Sequence, residues 1–66
     1  MQLVINSFGS YLHKSGNCFV VKRDDRRFEV AAGKVSSILI TTAASISTDA
    51  IKLALDSNID IVFLNS

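Results

Sequence analysis

The segment ISTDAIKLALDSNIDIVFLNS, residues 46–66, predicts more of the fold than any other stretch of this chain. Ser47 or Thr48 can act as the N-cap of a helix, because a hydroxyl oxygen there can accept a hydrogen bond from a free amide of the first turn. Asn58 can end the helix, because asparagine tolerates the left-handed conformation. The apolar run that follows has the composition of a β-strand. A helix followed directly by a strand is therefore predicted.

A second apolar run, ILIT at residues 38–41, precedes this helix and completes a larger unit. Strand, helix and strand with short connections predict a βαβ unit, in which residues 38–41 and 61–64 lie parallel with a right-handed crossover. Continuously apolar strands of this kind occur where both faces of a sheet are covered. Because one helix covers one face only, we expect a second copy of the chain, or polypeptide outside it, to cover the other.

The predicted helix is apolar over a wide arc. Asp49, Lys52 and Asp56 recur at spacings of three and four residues and form one narrow polar stripe. The remaining helix positions are apolar, which is more than packing against one sheet face requires. We therefore place Leu55 and Val62 in the core, and we predict that aspartate at either position prevents folding, because a buried unpaired carboxylate is strongly destabilising.

The first half of the chain has the pattern of short strands separated by turns. Gly9, the sequence SGN at residues 15–17, and the pair Asp24 and Asp25 are turn signals. The β-rich runs between them are QLVI, YLHK, CFVVKR and RRFEVAA. We predict that these four runs form an antiparallel meander. The expected fold class is α+β, a small antiparallel β-hairpin meander followed by a β-α-β unit, in one N-terminal β-rich domain over residues 1–66.

Composition indicates a small domain that is not self-sufficient. The 66 residues are 48% hydrophobic, and a body of this size has little interior in which to bury apolar surface. An apolar face shared with another subunit or domain is expected. The single cysteine, Cys18, excludes an internal disulfide and fits a reducing cytosol. The sequence contains no export signal and no apolar run long enough to span a bilayer, so we expect a cytoplasmic protein without membrane contact.

Positive charge is concentrated in one segment. Six of the seven Lys and Arg residues lie between residues 14 and 34, although the net charge is only +1. In KRDDRR, residues 22–27, the candidate DNA contacts are Lys22, Arg23, Arg26 and Arg27, which could bind phosphates. The two aspartates reduce the charge of this segment and no aromatic residues are interleaved for base stacking. A solvated hairpin tip is therefore the favoured interpretation, and phosphate binding is the alternative.

No catalytic, cofactor-binding or metal-binding residue can be assigned. His13 could act as a metal ligand or general base with nearby carboxylates, but no HxH or HxxxH spacing supports this role. Cys18 lacks a recognisable base partner and is interpreted as a packed thiol. Asp24 and Asp25 could hold a metal, yet between basic residues a charge-balanced turn is the simpler interpretation.

The order of segments resembles a known family. LVINSFGSYLHKSGNCFVVKR, SSILIT and SISTDAIKLALDSNIDIVFLNS together resemble the N-terminal domain of the CRISPR-associated endonuclease and integrase, the first-numbered CRISPR-associated protein. This resemblance covers essentially the whole chain. It implies a β-rich N-terminal domain, followed in the family by a helical catalytic domain that is absent here.

The resemblance also implies partners and a cofactor. Family members form homodimers largely through their N-terminal domains and act with a small second CRISPR-associated protein. The full-length proteins insert captured double-stranded DNA into the CRISPR array as spacers. Their active site is a Glu, His and Asp set that holds Mg²⁺ or Mn²⁺ in the helical domain. None of those residues can be placed on this sequence, and His13 is not the family histidine.

The expected function is therefore that of a dimerisation and positioning domain of a DNA integrase, inactive by itself. Two alternatives remain open at this point. One is a stand-alone nucleic-acid-binding module that uses the hairpin at residues 22–27, and the other is a purely structural oligomerisation domain. Loss of DNA affinity on replacing Arg26 and Arg27 would favour the stand-alone module.

Overall fold

The computed structural model describes residues 1–64, which fold into two β-sheets and one α-helix. The α+β class is therefore as predicted. In chain order the elements are β1 (Gln2–Ile5), β2 (Tyr11–Ser15), β3 (Cys18–Arg23), β4 (Arg26–Ala31), a 3₁₀ helix (Ala32–Lys34), β5 (Ser37–Ile40), β6 (Ser45–Ile46), α1 (Thr48–Asp56) and β7 (Asp60–Phe63). Among the described residues, no helix has the length and apolar character that crossing a bilayer requires.

The strands divide into a parallel sheet and a mixed sheet. The parallel sheet has the order β1–β5–β7, and both neighbouring pairs run in the same direction. The mixed sheet has the order β4–β3–β2–β6, in which β2, β3 and β4 are antiparallel and β6 runs parallel to β2 over two residues. β4 is consequently an outer strand of the mixed sheet.

The predicted βαβ unit is confirmed. β5 and β7 are parallel neighbours, with Ile38 opposite Ile61. The Ser47 hydroxyl oxygen accepts a hydrogen bond from the Ala50 amide at 3.1 Å, so Ser47 rather than Thr48 is the N-cap of α1. Asn58 has a φ of 55°, which is the left-handed conformation predicted for the residue that ends the helix.

The antiparallel meander contains three strands, so the prediction of four strands is wrong. β1 leaves the meander and pairs in parallel with β5, with Leu3 opposite Ile38. The loop over residues 6–10 carries the chain from one sheet to the other, and the Ser10 hydroxyl donates a hydrogen bond to the Ser7 carbonyl at 2.7 Å within it. The pattern SGN predicts a three-residue turn at residues 15–17, but Ser15 pairs with Cys18 and the loop between them has two residues.

One core lies between the two sheets and α1. The helix contributes small side chains to it, since its buried residues are Ala50 and Ala54. The other buried residues of the cluster come from both sheets and their connections, namely Leu3, Ile5, Leu12, Phe19, Val30, Ala32, Val35, Ile38, Ile40 and Ile59. Because both sheets and the helix share these contacts, the chain has a single hydrophobic core.

Leu55 and Val62 are not core residues, which contradicts their predicted placement. Leu55 is 70% exposed and Val62 is 42% exposed. The helix packs through Ala50 and Ala54, with Leu53 partly buried against the core, whereas Ile51 and Leu55 are exposed. Val62 lies on the outer face of the parallel sheet, because Ile61 before it packs against the core and successive strand residues point to opposite faces. Apolar surface is therefore exposed on α1 and on this outer face.

Candidate nucleic-acid interface

The β3–β4 hairpin places its four basic residues on two faces. Lys22 lies opposite Arg27, and Arg23 lies opposite Arg26. Residues that are directly opposite share a face, whereas successive residues of a strand alternate between faces. The Lys22–Arg27 pair and the Arg23–Arg26 pair consequently point to opposite sides of the hairpin. The four basic side chains of KRDDRR therefore do not all lie on one face of the hairpin.

The turn that joins these strands is as predicted. Arg23 pairs with Arg26, so Asp24 and Asp25 form a two-residue loop, and Asp24 has a φ of 55°. Aspartate tolerates this left-handed conformation better than most residues. The two carboxylates sit beside two directly opposed arginines, whose mutual repulsion they offset through space.

Arg23 and Arg26, the pair next to the turn, line a groove beside the end of β1. This groove has a volume of about 350 Å³. Its lining consists of Arg23, Arg26, Arg27 and Phe28 from the hairpin, Asn6, Ser7 and Ser10 from the loop after β1, and Val4, Ile5 and Val21. We call this surface the arginine groove.

The electrostatics of the arginine groove favour an anion. Within residues 1–64 the side-chain ion pairs are Arg27–Glu29 at 3.4 Å and Lys52–Asp56 at 3.3 Å, so Arg23 and Arg26 have no carboxylate within ion-pair distance there. Guanidinium groups bind phosphate oxygens in a bidentate manner. The Asn6 amide and Ser7 hydroxyl line the same groove and can donate further hydrogen bonds. The groove can therefore hold a phosphate group.

Aromatic side chains adjoin the basic residues in the folded chain, although none is interleaved within KRDDRR itself. Phe28 lines the arginine groove and is 50% exposed. On the other face, Tyr11 lies opposite Lys22 across β2 and β3 and stacks on His13 with ring centroids 5.0 Å apart. The sequence signal for Phe28 is its position directly after Arg27, whereas the proximity of Tyr11 depends on strand register.

No site for a divalent metal is formed by residues 1–64. His, Cys, Asp and Glu side chains do not come together in groups of three anywhere in that part of the chain. His13 is half-buried, with Nδ1 3.3 Å from the Lys14 carbonyl oxygen, and its buried Nε2 has no hydrogen-bond partner there. These residues do not fit the Mg²⁺ or Mn²⁺ ion that the resemblance implies, because such ions prefer several oxygen ligands.

Fold and site together define an α+β domain with a basic hairpin and an open apolar surface. The family model described as CRISPR associated protein Cas1 matches residues 3–66. The chain therefore belongs to the Cas1 family.

Two curated relatives are similar over nearly the whole chain. The CRISPR-associated endonuclease Cas1 2 of Saccharolobus solfataricus is 44% identical over 97% of this chain, which corresponds to 21% of that protein. The CRISPR-associated endonuclease Cas1 1 of Archaeoglobus fulgidus is 39% identical over 98% of this chain and 19% of its own length. The chain thus spans about a fifth of the length of these relatives.

Solved structures share the fold at low sequence identity. A chain in a partial Cas6-RT-Cas1–Cas2 complex matches 98% of this chain and 20% of its own length, with a TM-score of 0.92 and 14% identity. A chain in a TtCas1–DNA complex matches 98% of this chain and 24% of its own length, with a TM-score of 0.85 and 6% identity. The two-sheet architecture is accordingly the one found in these Cas1 chains.

Proposed function

We propose that this chain is the N-terminal positioning domain of a DNA endonuclease and integrase that inserts captured DNA fragments as spacers into a CRISPR array. The observation that carries this proposal is the 44% identity to a Cas1 endonuclease over 97% of the chain. We place the cleavage chemistry, and the Mg²⁺ or Mn²⁺ that it uses, in the longer protein outside this segment. The lack of a metal-binding cluster in residues 1–64 supports that assignment.

The longer protein would act with partners. One structural neighbour comes from a complex of Cas1 with Cas2, and another comes from a complex of Cas1 with DNA. These two complexes support Cas2 and DNA as partners of the protein to which this domain belongs. We also propose a homodimer. Exposed apolar side chains on α1 and β7, among them Leu55 and Phe63, support association because a monomer rarely leaves such a patch uncovered.

The DNA contact of this domain would be the arginine groove, with Arg23 and Arg26 binding the phosphate backbone. We expect the Arg23→Ala/Arg26→Ala variant to bind duplex DNA more weakly than the unmodified chain. The slope of log K against log[salt] should fall in magnitude by about 1 to 2, because fewer counterions are released when phosphate contacts are lost. Fluorescence anisotropy at several salt concentrations measures both quantities.

Lys34→Ala is the matched control for this experiment. Lys34 also carries one positive charge but lies beside Met1, whose amine donates to the Lys34 carbonyl, at the opposite end of β1 from the groove. Its removal should leave the salt slope nearly unchanged. Equal losses in the control and in the double variant would show that binding depends on overall charge and would contradict the groove assignment.

A stand-alone nucleic-acid-binding module is the second candidate, and the arginine groove is the observation that favours it. The two candidates differ in what the 66-residue chain does alone. A stand-alone module should by itself bind DNA with the affinity that its function requires. A positioning domain should bind weakly, because it contributes few of the phosphate contacts that a full interface makes. Insensitivity to every arginine substitution would instead favour a purely structural oligomerisation domain.

We further propose that the protein acts in the cytoplasm. Cys18 is a half-buried free thiol and is the sole cysteine of the chain. Thiols of this kind persist in the reducing environment of the cytosol, whereas small secreted domains usually rely on several disulfides.

A further inference from the structure

The loop at residues 6–10, between β1 and β2, forms part of the wall of the arginine groove through Asn6, Ser7 and Ser10. Backbone hydrogen bonds hold both ends of this loop. The Thr41 amide donates to the carbonyl of Ile5 just before the loop, at 3.0 Å, and the Ser45 amide donates to the Ser10 carbonyl at 3.0 Å. The ends of the loop are therefore fixed, whereas the residues between them depend on contacts of their own.

Apolar packing does not hold the middle of the loop. Phe8, near its tip, is 81% exposed, and Asn6 and Gly9 are exposed as well. Ser10 is the one loop residue that is buried. A buried hydroxyl group needs a hydrogen-bond partner, because burial of an unpaired polar group costs free energy. The partner of Ser10 therefore decides how the loop is held.

That partner lies within the loop itself. The Ser10 hydroxyl donates to the Ser7 carbonyl at 2.7 Å, and the Ser10 amide donates to the same carbonyl at 3.3 Å. Gly9 has a φ of 84° between them, a conformation that glycine adopts without steric cost. The two hydrogen bonds close a turn over residues 7–10, and the shorter of them comes from the side chain. Ser10 thereby holds Ser7 at the groove.

We propose that Ser10 is a positioning residue for DNA binding, whose hydroxyl fixes the loop in the conformation that lines the arginine groove. This role rests on the proposed function, in which Arg23 and Arg26 bind phosphate oxygens. Ser10 acts through Asn6 and Ser7, the neighbours whose polar groups line the same groove. Without the hydroxyl, the loop has to be ordered when DNA binds, and the conformational entropy lost at that step lowers the affinity.

Fluorescence anisotropy with a short DNA duplex tests this role, in the 66-residue chain at several salt concentrations. Ser10→Ala should weaken binding about fivefold, which corresponds to about 1 kcal/mol, the net contribution of one neutral hydrogen bond. The slope of log K against log[salt] should keep its wild-type value, because the phosphate contacts are retained. Ser10→Thr keeps a hydroxyl group and should recover most of the affinity.

Ser36→Ala is the matched control. The hydroxyl and the amide of Ser36 both donate to the Met1 carbonyl, at 2.9 Å and 2.7 Å, so the same pair of hydrogen bonds occurs at the opposite end of β1 from the groove. The loss of this hydroxyl should leave the DNA affinity unchanged. Thermal unfolding followed by circular dichroism shows whether each variant is folded at the assay temperature, so that unfolded chain is not mistaken for weak binding.

The outcomes separate this role from the function on which it rests. If Arg23→Ala/Arg26→Ala binds DNA as tightly as the wild type, the groove is not the DNA contact and the role of Ser10 fails with it. If that double variant binds weakly while Ser10→Ala binds like the wild type, the groove is retained and the positioning role is overturned.

Two further results would also overturn the positioning role. One is a flatter salt slope for Ser10→Ala, which would show that phosphate contacts are lost. The other is an equal loss of affinity in Ser36→Ala. If Ser10→Ala does not fold, Ser10→Cys takes its place under the same criteria, because a thiol is a weak hydrogen-bond donor.

Discussion

At the residue scale, the beginning of α1 depends on the hydroxyl group of Ser47, which accepts the Ala50 amide at 3.1 Å. We expect Ser47→Ala to lower the free energy of unfolding by about 1 kcal/mol, because that amide loses its partner at the helix start. Urea denaturation followed by circular dichroism measures the change. Thr48→Ala is the control, since Thr48 is exposed within the first turn and should matter less. Equal effects at both positions would contradict the assignment of Ser47 as the N-cap.

Several turn residues are predictable from the sequence because their conformations are local. Asp24 and Asn58 both adopt a φ of 55°, and Gly9 and Gly16 also have positive φ. Such residues are selected by backbone sterics within a few positions of the chain, so no knowledge of the tertiary structure is needed. The sequence does not decide between Ser47 and Thr48, since both carry a hydroxyl group that can cap a helix.

At the scale of the element, α1 packs through its smallest side chains. Ala54 is 1% exposed, whereas the adjacent Leu55 is 70% exposed. We expect Ala54→Asp to destabilise the fold by roughly 3 kcal/mol or more, because it buries an unpaired charge. Leu55→Asp should cost only about 1 kcal/mol, from helix propensity and an unfavourable charge near the helix C-terminus. Thermal unfolding of the two variants compares them, and a well-folded Ala54→Asp protein would contradict this packing.

The positions of α1 and of the strands other than β6 followed from the sequence, but β6, the 3₁₀ helix and two tertiary choices did not. Leu55 is more hydrophobic than Ala54, so a sequence pattern ranks it as the better core residue, whereas the close approach of α1 to β2 selects the small side chain. Similarly, QLVI alternates in the same way whether it pairs with β2 or with β5. Its parallel partner lies 35 residues along the chain, and local patterns carry no information about pairing at that separation.

At the scale of the whole molecule, we expect the 66-residue chain to lack Mg²⁺-dependent nuclease activity. No group of metal-binding side chains is formed by the residues that the structure describes. A supercoiled plasmid incubated with Mg²⁺ or Mn²⁺ should remain uncut, and gel electrophoresis measures this. Nicking that disappears on His13→Ala would contradict the placement of the chemistry outside this domain, whereas nicking retained by that variant would indicate a contaminating nuclease.

The candidate site is only partly predictable from the sequence, because its geometry depends on strand register and sheet pairing. Lys22, Arg23, Arg26 and Arg27 are all recognisable in the sequence as basic residues, but their separation onto two faces follows from strand register. The groove itself requires the loop at residues 6–10 to approach the hairpin, which becomes possible because β1 belongs to the other sheet. The charge of a hairpin is visible in sequence, whereas the concave surface that it helps to build is not.

The separation between β1 and β5 also bears on how the protein is made. The two loops of the meander are two residues long, so β2, β3 and β4 can assemble soon after they are synthesised. β1 leaves the ribosome before them, yet Leu3 and Ile5 have no partner strand until β5 has emerged. During that interval the first strand is an unprotected apolar segment, open to mispairing or to capture by a chaperone.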